Sequence, residues 1–303
     1  ILLSGLGASP GIAFGTVRIV NSLEDLNNVK TGDVLVTTMP NPDMVVSMQK
    51  AAAIITDEGG VTSHAAIVSR EMGIPCVVGT RSATQILKEG QIITVDGFTG
   101  RVIDGKAQEK KVEIKQIIPT RTKIKVILDL PDYAERAALS GCSEVGLVRL
   151  EGIIATSGKH PVWYIKNDSL KEYISVLSAG LKKIAMPFQE IWVRTSALRS
   201  DEYRHLDGAP QITESNPMLG NHGIRFSVKN IDVLAAEISA IKELADEFPE
   251  KVFGIMMPQV ISVQEVEIAK KIMGEIIMPE NVKLGVMIET PAAVQIINEL
   301  CET

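Results

Sequence analysis

The chain is predicted to be an α/β protein in two parts: a compact strand-rich domain, then a series of β–α units that share a parallel sheet. Three observations predict this. Short Val- and Ile-rich runs bounded by Gly, Pro, Asn or Asp fill residues 1 to about 115. From Lys123 onward, similar runs alternate with longer stretches whose apolar residues recur at spacings of three and four. Between the two lies a charged segment at 106–115, followed by Ile117-Ile118-Pro119. At 303 residues the chain exceeds an ordinary single domain, in keeping with such a division.

The first domain is assigned to 1–116. Its strands are expected at 16–20, 34–37, 53–56, 76–78, 92–96 and 101–103, with helices near 42–52 and 63–72. The charged segment from Lys106 with Ile117-Ile118-Pro119 is the candidate linker, bounded at 117–123 in the division into domains, and the expected hinge runs from about Lys106 to Arg121. The second domain, 124–303, has strands expected at 124–128, 145–148, 191–194, 253–257 and 284–288. Helices are expected at 132–139, 169–183, 232–248, 263–273 and 292–300. The helix at 232–248 puts Val233, Leu234, Ile238, Ile241, Leu244, Ala245 and Phe248 on one face. Five β–α units in about 180 residues fall short of the roughly 250 that a closed (β/α)8 barrel takes, so the second domain is expected to be an incomplete barrel. Arg149, Arg194 and Glu289 each fall at or just past the C-terminal end of a predicted strand, the rim where such barrels keep their chemistry.

Composition excludes several function classes. The net charge is −6 and no basic run offers a footprint for a nucleic-acid backbone. No apolar stretch approaches the roughly 20 residues of a membrane span. Cys76, Cys142 and Cys301 are widely spaced and form no CxxC, which points to free thiols and a cytoplasmic location.

The chemistry centres on His64. Residues 53–56 form a buried strand, Gly59 and Gly60 the turn, and Thr62 and Ser63 are helix-opening residues, so His64 falls in the first turn of a helix that Gly73 and Pro75 end. Exposed amides and the positive end of the helix dipole disfavour the imidazolium and favour the neutral, nucleophilic ring. The same environment then attracts a phosphoryl group carried by that ring. A plain packing or capping role for this histidine is the alternative reading of these residues.

The stretch GGVTSHAAIVSREMGIPCVVG resembles the phosphohistidine signature of the phosphoenolpyruvate-utilising enzymes. LGASPGIAFG is similar to the opening of that family's phosphohistidine domain, GCSEVGLVRLE to its second barrel strand, VRTSALRSDEY to the third, ESNPMLG to the loop after it and GVMIETPAA to the fifth. The resemblance implies a swivelling phosphohistidine domain followed by the N-terminal part of the barrel that binds phosphoenolpyruvate and pyruvate. His64 would take a phosphoryl group derived from ATP and pass it to pyruvate, with Gly59, Gly60, Thr62 and Ser63 forming its loop. Arg194 would hold phosphoryl or carboxylate oxygens, Arg149 with Glu151 would match a family Arg-x-Glu pair, and Glu289 would bind Mg²⁺. Among the branches of the family, 193–203 is most similar to the one that converts ATP, pyruvate and water to phosphoenolpyruvate, AMP and phosphate; the dikinase branch is a near neighbour. Between Ser9 and His64 there is no room for the carrier-binding insertion of a third branch.

The chain makes two departures from the family pattern. Ala197 stands where the family has aspartate, and Asn221-His222 where it has an aromatic and an arginine; Arg225 is the expected compensation. A catalytically weakened member with a structural or assembly role is therefore the rival expectation. Glu214 and Asn216 are expected to shape a loop, and His160 and His205 to be ordinary surface or loop histidines. The ATP site is expected outside the chain, which would be a central piece of a longer homo-oligomeric protein, unable to turn over ATP alone.

Overall fold

In the computed structural model every residue is described except 23, 41–43, 111, 113, 115, 117 and 119. The chain divides into two compact units, Ile1–Ile114 and Lys115–Thr303.

In the first unit the strands are β1 (Leu3–Ser4), β2 (Leu6–Ser9), β3 (Ile12–Val20), β4 (Val34–Thr37), β5 (Ala53–Thr56), β6 (Cys76–Val78), β7 (Ile92–Asp96) and β8 (Arg101–Asp104). The helices are α1 (Val45–Met48), α2 (His64–Met72) and α3 (Ala83–Ile86). One sheet contains all eight strands in the order β1-β8-β7-β3-β4-β5-β6-β2. Its centre, β3 to β6, is parallel, and both flanks are antiparallel. Every residue of β4, β5 and β6 is buried, which is why these strands read as unbroken apolar runs rather than alternating ones.

Two expectations change here. Where a helix over 42–52 was expected, the described residues form a single turn, Val45–Met48; 42 and 43 lie outside them. The segment expected to be linker from Lys106 is bound to the first unit as far as Lys110. Lys110 and Ile12 exchange backbone hydrogen bonds of 2.8 and 2.9 Å, and the Ala107 amide donates to Thr94 Oγ1. Part of the expected linker at 117–123 lies outside the described residues.

The second unit has strands β9 (Val126–Ile127), β10 (Glu144–Arg149), β11 (Glu190–Arg194), β12 (Val252–Met257) and β13 (Val282–Val286). They lie side by side in sequence order, every neighbouring pair parallel. Around them are α4 (Ala134–Ala138), α5 (Glu151–Ser157), α6 (Pro161–Lys166), α7 (Leu170–Ala185), α8 (Ile224–Lys229), α9 (Ile231–Glu247), α10 (Val263–Ile276), α11 (Pro291–Gln295) and α12 (Ile297–Glu302). The core joins Val145, Val148, Ile191, Val193, Phe253 and Ile255 of the strands to Leu177, Leu181, Ile238 and Ile241 of α7 and α9.

Alternate positions on β11, Glu190, Trp192 and Arg194, are only half-buried. On that face Lys125 bridges Glu144 and Glu190, and the Trp192 indole donates to Glu190. The ring also covers the next strand: a Cβ on Gly254 would come within 2.2 Å of it, so only glycine admits the contact.

Four helices, α3 in the first unit and α5, α6 and α8 in the second, were not expected from the sequence. Of these, α6 is opened by His160, whose Nδ1 accepts the Val162 amide at 3.2 Å, with Pro161 at the first helical position. His160 is thus no surface residue but buried, lying edge-on to Phe226; burial, followed by the charge of Lys166, lowers its pKa to about 4. The first strand of this unit is also shorter than expected, although the Leu128 amide still reaches Leu147 O.

Candidate active site

Parallel β5 and β6 end side by side in the first unit, and the chain leaving β5 must turn back to begin α2. Gly59 makes that reversal at φ 101°, a backbone conformation that side-chain-bearing residues rarely adopt. The turn is closed by Thr56 Oγ1 donating to Glu58 O at 2.5 Å and by the Ser63 amide donating to Gly60 O at 3.0 Å. Ser63 has extended backbone angles, and its Oγ accepts the Ala66 amide at 3.4 Å as the N-cap of α2. His64 is the first residue of that helix and is half-buried; Ala65, Ala66, Val68 and Met72 are buried behind it.

Beneath the turn, the buried Asp57 carboxylate accepts from Thr80 Oγ1 at 3.3 Å, from the Thr84 amide at 3.1 Å and from the Thr84 hydroxyl. An open hollow of about 1130 Å³ beside it is lined by Asp57, Glu58, Gly59, Gly79, Thr80 and Arg81. The spacing of the Gly-Gly turn and N-cap marked this loop; the support from Asp57 carried no such signal.

The second unit places several charged residues at the C-terminal ends of the parallel strands, the edge where such sheets carry ligands. Register pairs Arg149 of β10 with Arg194 of β11. Asp129 follows β9, Glu151 opens α5 and Glu289 follows β13. Arg149 and Glu151, the Arg-x-Glu pair of the sequence, bond to different elements. Arg149 Nη1 donates to Asp129 Oδ2 at 2.7 Å, its amide to Oδ1 at 2.9 Å, and Glu151 turns to Arg194 Nη2 at 2.5 Å. Successive residues on either side of Leu150 leave the strand in different directions, so each arginine reaches the carboxylate of another element.

Burial opposes the charge on Arg194, but Glu151, and more weakly Asp129 and Glu289, outweigh it and raise the guanidinium pKa above its ordinary value. Asp129 is pushed upward by burial against the pull of Arg149. Glu202 is likewise raised by burial, opposed by Arg199.

Glu289 is exposed, and its Oε1 accepts the Gln259 amide at 2.7 Å. No three His, Cys, Asp or Glu side chains gather as a metal cage among the described residues. A single carboxylate of this kind suits a hard cation that completes its shell with substrate and water oxygens.

The residues at the departures do other work. Ala197 donates its amide to Glu151 Oε1 at 2.6 Å. His222 is buried, with Nε2 2.9 Å from Met218 O. Arg225 lies on α8, with Nε and Nη2 buried and without a hydrogen-bond partner among the described residues. Glu214 accepts from Ser200 Oγ at 2.6 Å and the Asn221 amide at 2.7 Å, and Asn216 caps the turn at Met218, so both shape the loop as expected. A small cleft beside this loop is lined by His160, Arg199, Tyr203, Glu214, Asn221 and Phe226. His205 is exposed, as expected.

A histidine opens a helix in the first unit, and arginines and carboxylates line strand ends in the second. Comparison with known families supplies the membership: residues 29–100 match the model of the PEP-utilising enzyme mobile domain and residues 105–303 that of the PEP-binding domain. The chain belongs to the PEP-utilising enzymes.

It is 44% identical over 310 residues to a probable phosphoenolpyruvate synthase of Archaeoglobus fulgidus, covering 99% of this chain and 41% of that one. To the phosphoenolpyruvate synthase of Pyrococcus furiosus it is 44% identical over 318 residues, covering 99% of this chain and 39% of the other. A probable phosphoenolpyruvate synthase of Methanothermobacter thermautotrophicus is 42% identical over all of this chain and 46% of its own length. The chain thus spans less than half the length of these relatives. No helix among the described residues is long and apolar enough to cross a membrane.

Proposed function

We propose that the chain is the phosphohistidine and acceptor-binding part of a phosphoenolpyruvate synthase, in which His64 carries a phosphoryl group derived from ATP to pyruvate. The observation that carries this reading is the position of His64 at the start of α2, behind its Ser63 cap, inside the stretch that matches the family's mobile domain.

The neutral imidazole attacks the β-phosphorus of ATP in line and releases AMP, and water then removes the terminal phosphate. Pyruvate gives up a methyl proton to a base, and the phosphorylated ring passes its group to the enolate oxygen and returns to neutral imidazole. Gly59, Gly60, Thr62 and Ser63 keep backbone close to the ring. Arg194 and Arg149 face anionic oxygens of the acceptor, a role that suits planar guanidinium forks; Arg225 supplies further positive charge. Glu289 would hold Mg²⁺, which neutralises charge on the transferring group when bound. Sequential order in a parallel sheet with one half-exposed face supports placing β9 to β13 in a (β/α)8 barrel.

Incubation of the full-length protein with ATP labelled in the transferred phosphoryl group is the direct test. An acid-labile label lost in His64→Ala is expected. Absence of any His64-dependent label overturns the proposal in favour of a structural role, a reading favoured by the burial of His222 against Met218 O.

A further inference from the structure

Glu237 lies midway along α9, at no strand end and in no motif, yet it is fully buried. Its two oxygens serve different elements: Oε1 accepts the Tyr173 hydroxyl of α7 at 2.9 Å, and Oε2 accepts the Ser196 amide at 3.0 Å. Ser196 is two residues beyond Arg194. The amides on either side of it are also held, Thr195 by Met256 O at 3.0 Å and Ala197 by Glu151 at 2.6 Å. Three consecutive amides after Arg194 are therefore fastened to β12, α9 and α5. The bond to Tyr173 joins α7 to α9, while the second oxygen goes to the backbone just beyond Arg194, so the buried carboxyl ties the helix pair to the rim as well as satisfying two buried donors.

We propose that Glu237 is a positioning residue of the arginine rim, anchoring Ser196 so that Arg194 stays turned toward Glu151 and the anion it binds. The proposal rests on reading that rim as the pyruvate site. Burial pushes the Glu237 carboxyl up to about 7, against the hydrogen bonds from Ser196 and Tyr173 and with the help of the Glu151 carboxylate. Tyr164, stacked on Tyr173 with ring centroids 5.0 Å apart, closes the other side of the network. Protonation replaces a charged acceptor of the Ser196 amide by a weaker neutral one, so the anchor loosens as pH falls through neutrality.

Pyruvate is the probe, because its carboxylate keeps the same charge between pH 6 and 8. Its affinity for the chain is measured by calorimetry over that range, alongside the Ser196 amide and Arg194 Nε–H resonances. In the wild type both resonances are expected to titrate near pH 7, and affinity to fall about three- to ten-fold from pH 8 to pH 6, the equivalent of one hydrogen bond. Glu237→Gln should hold the low-pH affinity at both ends of the range and show no inflection. Tyr173→Phe keeps the carboxylate but removes a donor, and should move the inflection upward.

A folded Glu237→Gln protein with wild-type affinity and pH profile overturns the proposal. If the wild type binds no pyruvate, the reading of the rim fails and takes the ligand role of Glu237 with it. The two resonances then report the anchor separately, and their failure to titrate in the wild type overturns that as well.

Discussion

Around His64 the hydrogen bonds that close the turn and cap the helix span two or three positions, from Thr56 to Glu58 and from Ser63 to Ala66, with only Asp57 beneath it reaching as far as Thr80 and Thr84. On the rim of the second unit, by contrast, Arg194 is held by a carboxylate 43 positions away and Arg149 by one 20 positions away. The first arrangement is fixed by local backbone geometry, the second by whole strands being in register. The difference predicts where each is fragile: the turn should yield in small steps as single caps or glycines are changed, and the rim in large ones when one partner of a buried pair is removed.

The largest expected effect is therefore at Glu151. Its side chain is 6% exposed, that of Arg194 is 15% exposed, and the same oxygen also receives the Ala197 amide. Glu151→Ala leaves a guanidinium and an amide without their acceptor in a poorly solvated place, and about 3–5 kcal/mol of unfolding free energy should be lost in a denaturant titration. A loss below about 1 kcal/mol would class the pair with exposed ion pairs and remove the contrast between the two regions.

Glu237→Gln sharpens the same point through pH. The native carboxyl pKa, about 7, lies above the ordinary 4.5, so between these values the native state keeps a proton that the unfolded chain has released. Wild-type stability consequently falls as pH rises through that window, and no further loss from this group occurs above it. The gap is equivalent to about 3 kcal/mol. Glutamine carries no such proton, so the stability of the variant relative to the wild type should rise by about 2–3 kcal/mol between pH 5 and pH 8. A difference that stays flat across this range would mean that the buried carboxyl titrates near its ordinary value.

How far each region can be read from sequence follows from the same contrast. The Gly59-Gly60 turn, the Ser63 cap and the helix ending before Gly73 are contiguous signals, and α2 lies within one residue of the expected 63–72. The long amphipathic α7 and α9 and the order of the strands were legible too, because periodicity survives without tertiary contacts. The rim was legible only as a set of strand-end residues. Nothing in Arg149-Leu150-Glu151 indicates that the arginine turns to Asp129 while the glutamate turns to Arg194, since both partners arrive from other elements. His160 was missed for a related reason: a histidine before proline reads as a loop until the burial of Phe226 against it is known. Glu237 carried no signal at all, a charged residue within an otherwise ordinary helix.

Gly59→Ala tests the turn at its least forgiving point. At φ 101° an added Cβ is strained, and it would lie 3.1 Å from Ser63 Cβ and Oγ. About 1–3 kcal/mol should be lost, less than at Glu151, with the midpoint of thermal unfolding moving down accordingly. A larger loss would mean that the turn is as brittle as the rim.

Ser63→Ala should have the smallest effect. An N-cap serine replaced by alanine typically costs about 0.5–2 kcal/mol, and the bond here, at 3.4 Å to the Ala66 amide, is long enough to place it at the lower end. The turn also keeps its backbone closure from Ser63 N–H to Gly60 O after the substitution. The expected loss is therefore about 0.5 kcal/mol, read from the denaturant midpoint at unchanged slope. A cost above about 1.5 kcal/mol would show that α2 depends on this hydroxyl for more than capping, and the turn would then share with the rim the all-or-none character that now separates them.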